Sequence, residues 1–345
     1  MTITAAEERA MQCALTLAAS PGVPLGPNPR VGCVLLDADG ETVAEGFHRG
    51  AGTPHAEAAA LAAAGPAARG TTAVVTLEPC NHTGRTGPCA EALIEAGVRR
   101  VVFAMSDPNP TADGGAERLR QAGIDVVADI AQDAASELNR GWLHGLTHHR
   151  PWVTWKFATT LDGFSAASDG TSRWVSSAPA RLDTHRLRAE CDVVLVGTNT
   201  VEVDDPELTV RDQTGRPALH QPLRAVMGER DLDPVRRVFN EIAETVHLRT
   251  RDPHEALREL FGLGRRRVFF EGGPSLAAAF LGAALIDEVV VYLAPKLLGA
   301  GRRAVAELGI TTITDAREFT ITDATTIGTG EQTNLRLTMT PGKGN

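Results

Sequence analysis

The chain has 345 residues, 43% hydrophobic and 22% charged, which suits two globular domains and excludes a disordered chain or a fibre. Its 34 Lys and Arg against 43 Asp and Glu give a net charge of −9, so neither nucleic acid nor an anionic membrane is expected as the main partner. No apolar run approaches the ~18 residues that span a bilayer, and the opening MTITAAEERAMQ is acidic where a secretion signal is basic, so a cytoplasmic address is expected. Five cysteines in such a chain suggest a metal site or a reactive thiol before a disulfide framework. Cys13, Cys33 and Cys191 read as core packing.

In chain order, Met11, Leu15 and Ala18 mark one face of a helix ending near Pro21. Strands follow at 31–37 and 42–47, joined across Asp39-Gly40, a hairpin signal. An Ala-rich helix spans 54–64, with Thr53 as N-cap and Pro54 in its first turn. Strand 72–77, helix 88–96, strand 100–105, helix 116–122 and strand 124–127 complete an alternation that predicts a mixed or parallel sheet covered by helices. The stretch 142–150 contains His144, His148 and His149 with no acidic or Cys companions, and it reads as a solvated helix end and linker. A second series then starts: strand 152–158, helix 178–189, strands 192–196 and 268–270, helix 274–282 and strand 288–293. The halves do not repeat one another, giving domains at 1–147 and 151–345. Residues 212–267 carry the weakest pattern.

The strongest chemical signal is His55-Ala56-Glu57 followed by Cys80 and Cys89. One imidazole and two thiolates suit zinc, and three protein ligands leave a fourth position for water, as in catalytic sites. The ion would lower the pKa of that water towards ~7. Glu57 is placed to carry protons between the water and a departing amine. Residues i and i+2 diverge by about 200° within a helix, so His55 and Glu57 face one ion only at a helix start. A helix opening at Cys89 would bring a second positive helix end to the thiolates. A zinc knuckle, or two buried cysteines beside an unrelated histidine, is the alternative.

H-A-E with P-C and a later Cys resembles the zinc nucleobase deaminases. The spacing C-N-H-T-G-R-T-G-P-C over 80–89 departs from their usual P-C-x-x-C. It resembles instead the riboflavin-biosynthesis bifunctional deaminase–reductase family, with Gly87 where Pro is common; P-N-P-R-V-G at 27–32 matches a further family segment. The resemblance implies a cytidine-deaminase-like mixed sheet with helices in the N-terminal half. It implies pyrimidine-pocket roles for Asn28 and His48, and also for His82 and Arg85.

The second half has no G-x-G-x-x-G fingerprint. Strand 268–270 runs through Glu271-Gly272-Gly273 into a helix opened by Pro274, which suits either a phosphate site or a plain strand-to-helix turn. Lys156–Gly163, Ser172-Arg173-Trp174, Val196–Thr200, Asp204–Thr209 and Ala294–Gly299 resemble the reductase half of the same family. This implies a dihydrofolate-reductase-like α/β domain that uses NADPH. By that match the cofactor contacts fall on Ala158, Trp174, Thr200, Asp204, Gly273, Pro274, Ser275, Leu276, Ala277, Ala278 and Ala279. The substrate contacts fall on Ser172, Arg188, Leu208, Arg211 and Glu271. Arg guanidinium suits a ribose phosphate; Lys156 steers charge, protonates an imine or simply ends a strand.

The implied function is two consecutive steps of riboflavin biosynthesis on a small phosphorylated pyrimidine. Zinc-dependent hydrolytic deamination comes first, and NADPH-dependent reduction of ribosyl to ribityl follows, in a homo-oligomer (dimer or tetramer). The alternatives are an active deaminase with a non-catalytic reductase-like domain, a zinc-stabilised binding protein with a closed four-ligand site, and a deaminase of nucleosides or tRNA.

Overall fold

Thr4 opens helix α1 (Ala5–Ala18) through a capping box: its hydroxyl accepts from the Glu7 amide while the Glu7 carboxylate accepts from the Thr4 amide. Glu7 is buried and also receives Arg100 Nε at 2.7 Å, so one carboxylate ties the first helix to a strand 93 residues away. The structure is a computed structural model that describes residues 3–82, 87–109 and 114–342. It divides into two units, residues 1–148 and 149–345.

In the first unit, β1 (Gly32–Leu36) and β2 (Thr42–Phe47) form the antiparallel hairpin expected at Asp39-Gly40. Then come α2 (Ala56–Ala64), β3 (Thr72–Val75), α3 (Cys89–Ala96), β4 (Arg100–Phe103), α4 (Gly115–Gln121), β5 (Asp125–Val127), α5 (Gln132–Leu138) and α6 (Arg140–His148). The strand order is β2-β1-β3-β4-β5, with β1 antiparallel to β2 and β3 and the remaining pairs parallel. Strands β1 and β3 are buried along their whole length, and with Leu93 and Leu119 from the helices they form the core. The stretch expected to be a solvated linker is helix α6. His144 is buried on it and stacks on His148 with ring centres 4.1 Å apart, one turn away on the same helix face.

The second unit holds β6 (Trp152–Thr160), β7 (Phe164–Ala166), α7 (Ala178–Ala189), β8 (Val193–Gly197), α8 (Thr198–Asp204), β9 (Leu223–Met227), β10 (Thr245–Leu248), α9 (Pro253–Gly262), β11 (Arg267–Phe270), α10 (Pro274–Gly282), β12 (Glu288–Ala294), β13 (Arg302–Arg303), β14 (Phe319–Ile327) and β15 (Asn334–Pro341). The main sheet runs β10-β9-β8-β11-β6-β12-β15-β14; β15 is antiparallel to both its neighbours and the other pairs are parallel. The chain moves outward from β8 to β10 and then returns as β11 between β8 and β6. The carboxyl ends of β6, β8 and β11 therefore flank a reversal of strand order, where open α/β sheets place their ligands.

Candidate functional sites

Two close backbone approaches place the donors of the first site. A Cβ on Gly46 of β2 would lie 2.4 Å from the Ala56 oxygen, so glycine lets the start of α2 rest directly on the strand. A Cβ on Gly115 would lie 1.7 Å from the Pro79 oxygen, so α4 packs against the turn that carries Cys80. Glu78 reinforces that turn: one carboxylate oxygen accepts from the Ala116 amide at 2.8 Å and the other from the Asp107 amide at 3.2 Å.

Helix α2 begins later than its sequence suggests. The N-cap is His55 and not Thr53, whose hydroxyl instead donates to the Gly50 carbonyl at 2.7 Å. With His55 at the cap and Glu57 in the first turn, the two side chains escape the divergence that they would have in mid-helix. Cys89 is the first residue of α3, after Pro88 as N-cap. His55 Nδ1 lies 3.6 Å from Cys80 Sγ and 3.3 Å from Cys89 Sγ, and the Cys89 amide donates to Cys80 Sγ at 3.4 Å. Among the described residues these three form the one His, Cys, Asp or Glu group whose donor atoms converge, all within 4.8 Å. Tetrahedral zinc bonds of ordinary length separate nitrogen and sulfur ligands by about 3.5 Å, so the set fits that ion.

The electrostatics agree. The Cys89 thiol and amide donate to Cys80, and with His55 close by they pull its thiol down to about 4; the shared proton stays with Cys89, whose own ionisation is pushed up. Burial pushes the Glu57 carboxyl up to about 7, which suits a group that takes and returns protons near neutrality. Burial also lowers the pKa of His48. Its Nδ1 lies 3.0 Å from the Pro54 carbonyl and must donate there, so Nε2 accepts from Asn28 Nδ2 at 3.0 Å.

Asn28, His48, His55, Glu57, Cys80 and His82 line one cavity of about 270 Å³. Arg85 lies outside the described residues. Sequence reasoning missed Glu78, Asp107, Asn109 and Trp142, which line the same cavity. The available signal was position: Glu78 and Asp107-Pro108-Asn109 follow the carboxyl ends of β3 and β4. Burial beside Glu78 raises the pKa of Asp107.

The second unit has a larger cavity, about 1000 Å³, at the strand-order reversal. Of the expected cofactor contacts, Ala158, Thr200, Asp204, Gly273, Pro274, Ser275, Leu276 and Ala279 line it, as do Ser172 and Glu271 from the substrate set. Ala277 does not: it is fully buried in the core, on the inward face of α10. Ala278 is also off the lining, and Trp174 borders a separate small cavity with Arg181 4.2 Å above its ring. Arg188 pairs with Glu271 and donates to the Thr209 carbonyl at 2.9 Å. Arg211 pairs with Glu207, and Leu208 is buried with φ +54°. Lys156 lines the cavity, 3.9 Å from Glu271; burial lowers its pKa. The volume suits a dinucleotide, and a Cβ on Gly273 would meet nothing within 4 Å, so the backbone there is open to close approach by a phosphate.

The family model for the cytidine and deoxycytidylate deaminase zinc-binding region matches residues 4–105, and that for the RibD C-terminal domain matches residues 151–333. The riboflavin biosynthesis protein RibD of Mycobacterium tuberculosis is 48% identical over 303 residues, covering 88% of this chain and 89% of that protein. The chain belongs to the RibD family. RibD of Acinetobacter baumannii superposes with a TM-score of 0.85 at 36% identity, over 98% of this chain and 99% of that one. A Thermotoga maritima relative, described as a diaminohydroxyphosphoribosylaminopyrimidine deaminase/5-amino-6-(5-phosphoribosylamino)uracil reductase, superposes at 0.83 with 31% identity, over 97% and 99%. As a RibD protein the chain is a bifunctional deaminase and reductase of riboflavin biosynthesis that uses zinc and NADPH. No helix among the described residues is long and apolar enough to cross a membrane.

Proposed function

We infer that residues 1–147 deaminate 2,5-diamino-6-hydroxy-4-(5-phosphoribosylamino)pyrimidine. Residues 151–345 then reduce the ribosyl group of 5-amino-6-(5-phosphoribosylamino)uracil to ribityl. The observation that carries this reading is the convergence of His55, Cys80 and Cys89 beside buried Glu57 at one cavity.

His55, Cys80 and Cys89 hold zinc, which supplies an activated water at neutral pH. Asn28 and His48 orient the pyrimidine edge through their fixed hydrogen bond. Glu57 takes a proton from the attacking water and delivers it to the exocyclic amino group, while the water's other proton ends on the adjacent ring nitrogen; the bond from the ring carbon to the amino nitrogen breaks, a C=O bond forms at that carbon and ammonia leaves. Asp107 and Asn109 offer polar contacts to the same ring.

In the second unit NADPH supplies the hydride. Gly273–Leu276 and Ala279 seat the cofactor against α10, and Ala158, Thr200 and Asp204 border it. Trp174 and Ala278, off the cavity lining, stay assigned to the cofactor through the motif match alone. Ser172 and Glu271 face the sugar; Arg188, Leu208 and Arg211 take its phosphate end, which requires the two arginines to exchange a carboxylate partner for phosphate oxygens. Lys156 is the group placed to give a proton to the reduced sugar. A homo-oligomer in the cytoplasm is the expected setting, and light scattering of the pure protein tests the assembly.

The test is turnover with the phosphoribosylated pyrimidine. Ammonia should appear without NADPH, and NADPH oxidation should follow only after deamination. Ammonia release with no NADPH oxidation, even on the deaminated compound, would support a non-catalytic second domain.

A further inference from the structure

Two arginines at one end of the reductase cavity have no role in the chemistry described above. Arg230 follows β9 and Arg251 follows β10, and both line the cavity. The strand order fixes which end this is. Lys156 and Glu271, at the reacting end, lie on or just after β6 and β11, whereas β9 and β10 lie outward at the sheet edge. A dinucleotide that puts its nicotinamide beside Lys156 and its pyrophosphate on Gly272–Ser275 must send its adenosine half towards β9 and β10.

That end is built closely. Gly228 has φ +140°, and a Cβ on it would lie 2.8 Å from the Thr198 hydroxyl, so only glycine lets the turn after β9 rest on the first residue of α8. The turn then carries Arg230 across Thr198, whose hydroxyl accepts from Arg230 Nη2 at 3.3 Å. Each guanidinium is parked on a carboxylate: Arg230 on Glu202 at 2.6 Å and Arg251 on Glu229 at 3.0 Å. These pairs are largely exposed and therefore weak, so a dianionic phosphate competes for them easily.

Resting on the reductase reading, we propose that Arg230, supported by Thr198 and Arg251, is the seat of the adenosine 2′-phosphate and sets the preference for NADPH over NADH. Besides Lys156 at the reacting end, two other cations line the cavity, Arg302 and Arg303. They lie on β13, which pairs with β7 immediately after β6, and so they belong with the opposite side of the cavity.

Calorimetric titration of the full-length protein with 2′,5′-ADP and with 5′-ADP separates these candidates, because only the first probe carries the 2′-phosphate. The wild type should prefer 2′,5′-ADP by about 10- to 100-fold, the range of one or two charge-assisted phosphate contacts. Arg230→Ala should bring the two probes within about 3-fold, Arg230→Lys should restore part of the gap, and Arg302→Ala should keep it. The KM ratio of NADH to NADPH should follow the same order, and melting curves control for folding. A preference that survives Arg230→Ala, or that Arg302→Ala abolishes, overturns the proposal. A wild type that oxidises NADPH without preferring 2′,5′-ADP also overturns it while leaving the reductase reading intact; a wild type that binds neither NADPH nor these probes removes both.

Discussion

Glu271 holds Arg188 through both carboxylate oxygens, at 2.5 and 3.1 Å, directly beside Lys156. The three side chains join α7, the end of β11 and β6; Lys156 and Glu271 line the reductase cavity, and the three charges set one another. Burial works against the Glu271 carboxylate, but Arg188 and Lys156 more than offset it, so its pKa stays below the usual range. Lys156 shows the opposite balance: burial lowers its pKa despite the nearby carboxylate.

The pH dependence of reduction follows from that pair. Glu271 favours the charged form of Lys156, so Glu271→Gln should lower the lysine pKa further. The alkaline limb of the kcat/KM profile for reduction, where the ammonium is lost, should move to lower pH. An unmoved limb in a variant that still reduces would separate Lys156 from the proton transfer.

Glu57→Gln keeps the shape of the side chain but removes its ability to move a proton. Ammonia release should fall about 10²-fold or more. Zinc content, measured by atomic absorption, and reduction of pre-deaminated substrate should both persist. Normal deamination by this variant would show that another group carries the proton.

Cys89→Ser replaces a soft thiolate with a poor zinc ligand. The variant should lose zinc and ammonia release together, as should wild-type protein dialysed against a chelator under reducing conditions, and zinc should restore only the latter. Reduction of the deaminated substrate should continue in both samples, because the second unit has its own core.

Gly46→Val tests whether the approach of strand to helix positions the metal donors. Its Cβ would meet the Ala56 oxygen at 2.4 Å, so α2 must retreat and take His55 with it. Overpacking of this kind costs about 1–3 kcal/mol. Zinc affinity should fall in a chain that still folds and still oxidises NADPH.

The chemistry of the first site was legible because H-A-E, P-C and the second Cys sit at adjacent element ends, where short-range sequence signals are strong. Its supporting residues were not. Glu78 acts through the backbone amides of Asp107 and Ala116, in distant turns, which leaves no periodic trace. The gap at 212–267 has a particular cause in β9. Arg224, the second residue of that strand, is fully buried with its two terminal nitrogens held by Asn240 and by the carbonyls of Glu207 and Ala243, so a charge interrupts what would read as an apolar run. The edge hairpin of β14 and β15 was equally hidden, since β14 is mostly exposed and Thr-rich and offers no alternation. In the reductase the family motifs located the cavity, but a linear run from Gly273 to Ala279 crosses a helix whose inward face cannot touch a ligand, as Ala277 shows.

The closeness of Cys80 and Cys89 carries a hazard for whoever handles the protein. Two sulfurs within 4.8 Å of one another, one of them with its ionisation favoured by its neighbours, are primed to couple oxidatively once no cation separates them. Stripping the ion in air would then yield a crosslinked, inactive first domain that zinc cannot revive until dithiothreitol has been added, so storage buffers free of chelators should preserve ammonia release.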